Sequence, residues 1–358
     1  MDTRRFHKLL YEATVRLLPR EAAVVCAVSG GCDSIALLHG LFRMNQLRKC
    51  GLHLCVAHLD HHLPPGSSAQ MAEFTHRNAA GLGLPFYEER IDVPARSAST
   101  GESFEEAGRK ARYEFFERAA DQFNAKFVAV AHQADDQAET VLHRILRGTS
   151  LKGLAGMSES RRLRPDREIR IVRPMLSLRR SDVTDYLHRR DIPFMHDPTN
   201  DDTAVATRNV LRHALLPEIR RLINPNVDGA LTRLAAHARH AADFVSETAA
   251  GLFDAAAACA DCDAITLRAA ALSDASAAVL GEVVLIALRR CGAGLKAVSA
   301  ERIEAVTRAV RPEIAHRIVE LPDRMIAERR GKYLFIKRRR PEARPDATID
   351  TPEVHPVR

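Results

Sequence analysis

A short apolar run near the start of the chain ends at two adjacent glycines, after which the pattern resumes with helical spacing. Residues 24–28 have the composition of a buried strand, and Gly30 and Gly31 lack the Cβ atoms that would keep a ligand from the backbone amides. Ser29 and Ser34 add hydroxyl groups beside a helix N-terminus, where an anion is favoured. The segment therefore predicts a strand, a phosphate-binding turn and a helix.

An acid follows this glycine pair, where the better-known phosphate loop, G-x-x-x-x-G-K-[ST], has a lysine. A carboxylate beside phosphate oxygens is unfavourable unless a divalent cation lies between them. Asp33 therefore predicts either a Mg²⁺ bridge or an electrostatic role towards a second substrate. The competing interpretation is an ordinary glycine turn in an α/β domain, which does not explain why the serines and Asp33 occupy strand-to-helix positions.

A second group of titratable residues follows the apolar segment at residues 127–131. Asp136 and Glu139 fall on one face of the predicted helix, and His132 and Asp135 lie at its start. Carboxylates grouped at the mouth of a phosphate site must face cations, either Mg²⁺ or a positively charged co-substrate. Acids in a first helical turn are also favoured by the helix dipole alone, so both interpretations stay open.

Arginines recur at helical spacing in two further places. Ser103 has the position of a helix cap, and the helix it opens carries Arg109 and Arg112 on one face. Two adjacent guanidinium groups suit a triphosphate and the charge that develops on leaving pyrophosphate, although surface pairing with neighbouring glutamates is the alternative. Arg208 and Arg212, four residues apart, are predicted to clamp a phosphate or a carboxylate.

Two more segments carry polar chemistry. Residues 161–180 contain eight arginines against two acids, a cationic density that suits phosphate backbones or, alternatively, a solvated basic loop. His58 and His61 follow another apolar segment. Their spacing is poor for a tetrahedral metal site, so contacts to a base or a phosphate from a polar loop are favoured.

The positions of these motifs predict the architecture. Apolar segments at residues 23–28, 52–57, 86–91 and 127–131 alternate with amphipathic stretches, which is typical of an α/β fold with a doubly wound parallel sheet. Ligands bind at the carboxyl ends of such strands, so the segments at Ser29, His58 and His132 should converge on one crevice. From residue 223 an alanine-rich helical pattern predicts a smaller helical C-terminal domain.

Length and composition limit the number of domains, the kind of partner and the cellular compartment that can be expected. The 358 residues, 46% of them hydrophobic, suffice for two domains, and the net charge of +7 favours a polyanionic partner. No apolar run has the length of a membrane span and no signal peptide opens the sequence, so a cytoplasmic protein with reduced cysteines is expected. Cys259 and Cys262 form a lone C-x-x-C, for which ordinary helix-face positions are favoured over metal or redox use.

The order of the motifs resembles the tRNA(Ile)-lysidine synthetase family of the ATP pyrophosphatase (PP-loop) superfamily over about residues 24–225. The shared motifs are S-G-G-x-D-S at 29–34, H-x-D-H at 58–61, E-x-A-x-R-x-x-R-Y at 105–113, H-x-x-D-D-Q-x-E-T at 132–140, R-G-x-x-x-x-G-L at 147–154, R-P-M-L at 173–176, D-P-T-N at 197–200 and R-N-x-x-R at 208–212. The first motif alone would indicate only the superfamily.

This resemblance implies a reaction and its partners. Members of the family use ATP with Mg²⁺ to adenylate the wobble cytidine of tRNA(Ile) with a CAU anticodon, and then join free L-lysine to C2 with release of AMP. Residues 1–222 would be the PP-loop ATP-binding catalytic domain. Beyond the region of resemblance, the sequence pattern predicts that residues 223–340 form a helical domain with short terminal strands at 314–319, 325–327 and 333–337, for which tRNA binding is expected, and that 341–358 form a disordered tail. The resemblance is compatible with a homodimer.

The resemblance also implies roles for single residues. The ATP-binding residues would be Ser29, Gly30, Gly31, Cys32, Asp33, Ser34 and His58, with Asp33 as the metal ligand. The catalytic residues would be Asp33, Arg109, Arg112, Asp136 and Glu139. Lysine would be bound by Asp135, Asp136 and Glu139, and tRNA by Arg147, Arg173, Arg208 and Arg212.

Two other functions fit the loop. A PP-loop tRNA 2-thiolation enzyme would adenylate a base in the same way, but it needs cysteines or an iron–sulfur cluster near the crevice, where only Cys32 is expected. A non-catalytic nucleotide-sensing RNA-binding protein would keep the loop and lose turnover, whereas Asp33, Asp136 and Glu139 are all present.

Overall fold

The computed structural model describes residues 3–60, 67–196, 207–260, 264–311 and 313–339. The chain forms two units, Met1–Arg239 and His240–Arg358. This division falls later than the expected boundary at residue 222, because one helix of 30 residues, Val227–Ala256, begins in the first unit and ends in the second.

The first unit alternates strands and helices, as the apolar pattern predicts. Its strands are β1 (Ala23–Ala27), β2 (His53–Asp60), β3 (Phe86–Arg90), β4 (Phe127–Ala129), β5 (Ser160–Arg162) and β6 (Arg170–Val172). Its helices are α1 (Thr3–Leu17), α2 (Cys32–Arg48), α3 (Ser67–Gly81), α4 (Val93–Thr100), α5 (Phe104–Gln122), α6 (Ala134–Leu146), α7 (Leu151–Leu154), α8 (Arg180–His188), α9 (Thr207–Val210) and α10 (Leu216–Leu222), with a π-helical turn at Leu211–Leu215.

The sheet of the first unit has the order β3-β2-β1-β4-β6-β5, and every neighbouring pair is parallel except β5 with β6. Its four predicted strands are confirmed, while the antiparallel edge made by β5 and β6 was not expected. β1 lies between β2 and β4, with Val24 opposite both Leu54 and Phe127. The carboxyl ends of these three strands therefore meet at one edge.

Residues of β1 alternate between two hydrophobic layers, which is the physical basis of the doubly wound architecture. Val24 and Cys26 pack with side chains from α1, α2 and α8, where the rings of Phe6 and Tyr186 stack with centroids 4.0 Å apart. Val25 faces the opposite layer and packs with Phe115 of α5. Burying both faces of the strand fixes the direction in which the following loop leaves the sheet.

The second unit contains more strand than the sequence suggested. Its helices are the later part of α11 (Val227–Ala256), α12 (Ala269–Leu272), α13 (Ala277–Arg290) and α14 (Ala300–Ala309), with a 3₁₀ turn at Leu295–Ala297, and its described residues form five strands. They are β7 (Ala257–Ala260), β8 (Ala264–Arg268), β9 (His316–Glu320), β10 (Met325–Arg330) and β11 (Tyr333–Arg338), in the antiparallel order β7-β8-β11-β10-β9.

The expectation of a continuous helical region to about residue 310 is therefore wrong at β7 and β8, although the three short strands near the C-terminus are confirmed. Ile265 and Leu267 alternate with more exposed neighbours and are fully buried against the helices, and β8 pairs with β11 along its length. Tertiary pairing overrides the helical propensity of the surrounding alanines. The tail at 341–358 lies outside the described residues.

None of the helices in the described part of the chain is long and apolar enough to span a bilayer.

Candidate functional site

The loop between β1 and α2 folds back on its own hydroxyl groups. Gly30 has a φ of +91°, a conformation that side chains rarely adopt, and its carbonyl accepts a hydrogen bond of 3.0 Å from the amide of Met195. The Oγ of Ser34 accepts from the amide of Ser29 at 3.1 Å and donates to the carbonyl of Gly31 at 3.0 Å. In the described structure no side chain caps α2. Its first amides are therefore available to an anion.

Asp33 lies in the first turn of α2 and faces the start of α6. The side-chain amide of Gln133 donates to its carboxylate over long distances of 3.4 and 3.5 Å. Burial, followed by the nearby charge of Asp136, raises the pKa of Asp33 to about 6, while Arg180 and Arg212 act in the opposite direction. The nearby arginines and the long hydrogen bonds from Gln133 do not cancel the cost of burying this carboxylate, so a bound cation would stabilise its charged form.

Two carboxylates and two arginines form one ion-pair cluster, which we call the carboxylate–arginine cluster: Asp136, Glu139, Arg208 and Arg212. Glu139 accepts from the Nε of Arg208 at 2.7 Å and from the Nε of Arg212 at 2.6 Å. The Oδ1 of Asp136 accepts from both arginines at 2.9 Å. The predicted cationic partner of the two acids is thus supplied by the chain itself.

Local structure explains how two arginines reach one pair of acids. Asp136 and Glu139 lie one turn apart on α6, and Arg208 and Arg212 lie four residues apart where α9 runs into the π-helical turn. Asp135 points elsewhere: its Oδ2 accepts from the amide of Arg180 at 2.9 Å, and burial raises its pKa. Only two of the three carboxylates proposed for lysine therefore act together.

Among the cavities formed by described residues, a small one and a large one adjoin the loop. The small cavity has a volume of about 380 Å³ and carries both Asp33 and Asp136 in its wall. The remaining wall residues are Ser29, Gly31, Cys32, Ser34, Ala131, His132, Arg180, Thr184, Phe194, Met195, His196, Arg208, Asn209, Arg212 and His213. Burial and the charge of Asp33 raise the pKa of the Cys32 thiol to about 11, so it stays protonated at neutral pH.

The large cavity has a volume of about 730 Å³, and none of the described residues that line it is acidic. Six arginines line it: Arg109, Arg112, Arg144, Arg161, Arg173 and Arg208. Apolar residues from the ends of β1 and β2 complete the opposite wall, among them Val28, Ala57 and Leu59. A positively charged cavity beside exposed helix amides is suited to a phosphorylated ligand.

His132 lies in the wall of both cavities. Burial, followed by the charges of Arg173, Arg208, Arg112 and Arg109, lowers its pKa to about 3. The imidazole is therefore neutral at physiological pH, and its buried Nδ1 has no hydrogen-bond partner within the described structure. A neutral ring adds no charge to the arginine-lined wall and leaves one nitrogen for a ligand.

The other predicted residues fall into four groups. Arg109, Arg112 and Arg173 line the large cavity. His58 is buried, and its Nδ1 donates to the carbonyl of Val28 at 2.8 Å, so it braces the loop and lines neither cavity. Arg147 caps the end of α6 and is exposed. His61, residues 197–201 and Cys262 lie outside the described part of the chain.

Sequence reasoning missed several wall residues. Arg144 lies on α6, two turns beyond Asp136, and donates to the carbonyls of Gly153 and Gly156 at 2.8 and 3.0 Å. Gln133, which lines neither cavity but contacts Asp33, was also missed, although it lies three residues before Asp136. Only the helical spacing from Asp136 could have indicated Arg144, and nothing in the sequence indicated which arginines of residues 161–180 face the cavity.

A family model for the PP-loop domain matches residues 2–219, which is more than half of the chain. The chain belongs to the PP-loop family. The tRNA(Ile)-lysidine synthase of Thermotoga sp. strain RQ2 is 37% identical to this PP-loop protein over 225 residues, covering 63% of the chain and 51% of the relative. That of Geobacter sulfurreducens is 42% identical over 220 residues, covering 62% and 44%.

This PP-loop protein therefore spans about half the length of the curated relatives it matches. Among solved structures, a U34-tRNA thiolase from Methanococcus maripaludis with its [4Fe-4S] cluster shares the fold, with a TM-score of 0.51. It is 14% identical, and the match covers 65% of this chain and 78% of the thiolase. At this identity the likeness concerns the fold alone.

Proposed function

We propose that this PP-loop protein is a tRNA(Ile)-lysidine synthase, which activates the wobble cytidine of a CAU anticodon with ATP and joins it to free lysine. The observation that carries the proposal is the division of charge around the loop. A cavity lined by arginines, with no acid among the described residues of its wall, adjoins a smaller one that contains carboxylates. One reaction that needs an anionic and a cationic substrate together accounts for both.

ATP would occupy the loop and the adjoining part of the large cavity. The amides at the start of α2 suit its phosphates, and the apolar ends of β1 and β2, at Val28 and Ala57, suit the adenine ring. Arg109 and Arg112 would neutralise the charge that grows on the leaving pyrophosphate. Both line the same cavity, which supports their placement near the triphosphate.

The residues present also fit a Mg²⁺ ion that is held mainly by phosphates. Asp33 offers one carboxylate with a raised pKa, and the described residues contain no group of three or more metal-ligating side chains. Mg²⁺ commonly binds through one or two carboxylates together with substrate phosphates and water. When bound, it would polarise the phosphates and offset the charge of Asp33.

In the first step the O2 of cytidine attacks the α-phosphorus of ATP, the bond to the bridging oxygen breaks, and pyrophosphate leaves. In the second step the lysine ε-amine attacks C2 of the adenylated base, and AMP leaves with the electron pair of the C2–O bond. The ammonium form has no free electron pair, so it must first lose a proton. Asp136 or Glu139 would accept that proton once a guanidinium has moved aside.

The test is the ATP-dependent transfer of labelled lysine to a tRNA(Ile) transcript with a CAU anticodon, using the full 358-residue chain. Asp33→Asn and Glu139→Gln should each lower the rate by about 100-fold or more, in line with the loss of an electrostatic group at a reacting centre. A transcript with a GAU anticodon, which lacks the cytidine, is the matched RNA control. Absence of label on the CAU transcript with the wild type would refute the proposal.

The two alternatives give different products. Thiolation calls for cysteines at the crevice, whereas Cys32 is the only cysteine among the described residues that line either cavity. Bound iron together with loss of activity in Cys259→Ala would favour that alternative over lysine transfer. A nucleotide sensor would bind ATP and RNA without releasing AMP. A cytoplasmic location and a homodimer stay predictions from the sequence.

A further inference from the structure

A buried glutamine of α6 is bonded to the backbone of the segment between α7 and β5. The Oε1 of Gln137 accepts from the amide of Met157 at 2.7 Å, and its Nε2 donates to the carbonyl of the same residue at 3.1 Å. A carboxamide carries both an acceptor and a donor, so it satisfies both polar groups of one residue, which a carboxylate cannot do. The motif at residues 132–140 thus contains a residue to which the proposed reaction gives no role.

The close approach of this side chain depends on the glycine before Met157. Gly156 has a φ of +63°, and a Cβ added to it would lie 2.7 Å from both the Oε1 and the Nε2 of Gln137. Any side chain at Gly156 would therefore push the carboxamide away from the backbone that it binds. The contact thus needs both a glutamine on α6 and a glycine after α7.

Two arginines hold the same segment, which we call segment 153–158. Arg144 from α6 and Arg239 from α11 donate to four of its carbonyls, those of Gly153, Ala155, Gly156 and Met157. Most of the segment lies between α7 and β5 and has no regular structure, so side chains supply the partners that its backbone would find in a helix or sheet. These contacts fix its position from two helices.

Segment 153–158 forms part of the wall of the large cavity and holds another arginine of that wall. Met157 and Ser158 line the cavity, and the carbonyl of Ser158 accepts from a terminal nitrogen of Arg173 at 2.8 Å. Arg173 is 5% exposed, and its Nε has no hydrogen-bond partner within the described structure. Buried guanidinium donors normally find acceptors, so this Nε is available to an acceptor oxygen of a ligand. The direction in which it points depends on the position of Ser158.

We propose that Gln137 is a positioning residue for the large cavity. By holding Met157 it sets the carbonyl of Ser158, and through that carbonyl it orients the guanidinium of Arg173 towards a phosphate group of the substrate. Gln137 lines neither cavity, so its effect is transmitted entirely through segment 153–158. The inference rests on the proposed function, in which ATP and RNA both bring phosphates to this crevice, and the experiment separates these two sources.

The experiment measures two dissociation constants of the full chain. One is for a fluorescein-labelled anticodon stem-loop RNA with a CAU anticodon, measured by fluorescence anisotropy, and the other is for a non-hydrolysable ATP analogue, measured by calorimetry. Arg173→Gln identifies the ligand, because loss of a charged contact should raise the dissociation constant of at least one of them about tenfold. Gln137→Met removes both hydrogen bonds at similar length and should raise the constant of the same ligand about fivefold.

The double variant tests whether the two residues act through one guanidinium. Gln137→Met/Arg173→Gln should raise the constant of that ligand about tenfold, because a displaced Ser158 carbonyl has no effect once the guanidinium is absent. Independent effects would instead multiply to about fiftyfold.

Further variants separate positioning from folding. In Gln137→Glu a carboxylate would face the carbonyl of Met157 at pH 8, whereas the protonated form can donate to it, so affinity relative to the wild type should recover at pH 5.5. A merely structural loss would lower the fraction of protein that binds, measured as stoichiometry, and leave the dissociation constant unchanged. Gln46→Met makes the same substitution at an exposed position of α2 and should change neither constant.

Four results would overturn the inference. They are constants within twofold of the wild type in Gln137→Met, weakening of different ligands by Gln137→Met and Arg173→Gln, multiplied effects in the double variant, and a wild type that binds neither ligand. Because binding is measured without turnover, absence of lysine transfer refutes the proposed function and leaves the positioning role intact.

Discussion

The Nε of Arg208 lies 2.7 Å from the Oε2 of Glu139, and the same arginine lines both cavities. Its guanidinium occupies the position in which the carboxylates would receive an ammonium group, yet it also borders the cavity suited to phosphates. A charge that can be attracted from either side would couple the two proposed substrate sites.

We expect lysine to bind weakly to the nucleotide-free protein, because its ammonium group must displace a guanidinium that is hydrogen-bonded to both acids. A non-hydrolysable ATP analogue should attract Arg208 and tighten lysine binding by about tenfold, within the usual range of coupling between sites. Calorimetric titration of lysine with and without the analogue measures this. In Arg208→Gln the affinity for lysine should no longer depend on the presence of the ATP analogue. Equal lysine affinities in the two wild-type titrations would rule out the coupling.

Removing one arginine of the carboxylate–arginine cluster should destabilise the fold, because a buried carboxylate then loses one of its partners. The side chain of Glu139 is 2% exposed, so Arg212→Gln leaves a buried carboxylate with one partner and should cost about 1–3 kcal/mol in the free energy of unfolding. Urea denaturation measures this change in the free energy of unfolding. Arg221→Gln is the control: Arg221 pairs with Glu218 at the surface, so its replacement should cost less than about 0.5 kcal/mol. The double variant Glu139→Gln/Arg212→Gln should lose less than the sum of the single losses, whereas strict additivity would contradict the cluster.

The stability of the ligand-free protein should depend on Asp33 in a defined pH window. Its pKa is about 6 in the folded chain against an ordinary 3.8, so the folded state keeps the proton that the unfolded state releases between these values. Stability is therefore lost as the pH rises through 6, and Asp33→Asn should recover about 1–3 kcal/mol at pH 8 and none below about pH 4. Urea denaturation at both values tests this, and a variant less stable than the wild type at pH 8 would disprove it.

Replacing the two loop glycines by alanine should have different effects, a loss of stability at Gly30 and a loss of nucleotide affinity at Gly31. Gly30 has a φ of +91°, and an added Cβ would lie 3.3 Å from the hydroxyl of Thr75, so Gly30→Ala should lower the free energy of unfolding by about 1–2 kcal/mol. Gly31 has an extended backbone with its nearest neighbour at 3.6 Å, so Gly31→Ala should fold normally. It should nevertheless weaken binding of the ATP analogue at least tenfold, because its methyl group would lie at the helix N-terminus that receives phosphate. Unchanged nucleotide affinity in Gly31→Ala would place the phosphates elsewhere.

The loop, the parallel strands and the acid pair could be predicted because their signals are local. A strand, two glycines and a helix follow one another between Ala23 and Arg48, and the spacing of Asp136 and Glu139 fixes their shared helix face. The strands β7 and β8 could not be predicted, since alanine-rich sequence favours a helix in the absence of partners, and here β8 pairs with the distant β11 and β7 pairs with β8. Nor does the sequence show that Arg161 faces the cavity while Arg162 faces solvent, because that choice follows from the register of an edge strand.

The sequence by itself thus determined which residue types this PP-loop protein brings to the ends of its strands: phosphate-binding amides, an isolated aspartate, an acid pair and several arginines. Only the tertiary structure decided how their charges are combined. Arg208 and Glu139 are 69 residues apart in the chain, and their pairing depends on how α9 and the π-helical turn pack against α6. Helical spacing places charges on a face of one element. The packing between elements selects the charges that neutralise one another and those that remain for a ligand.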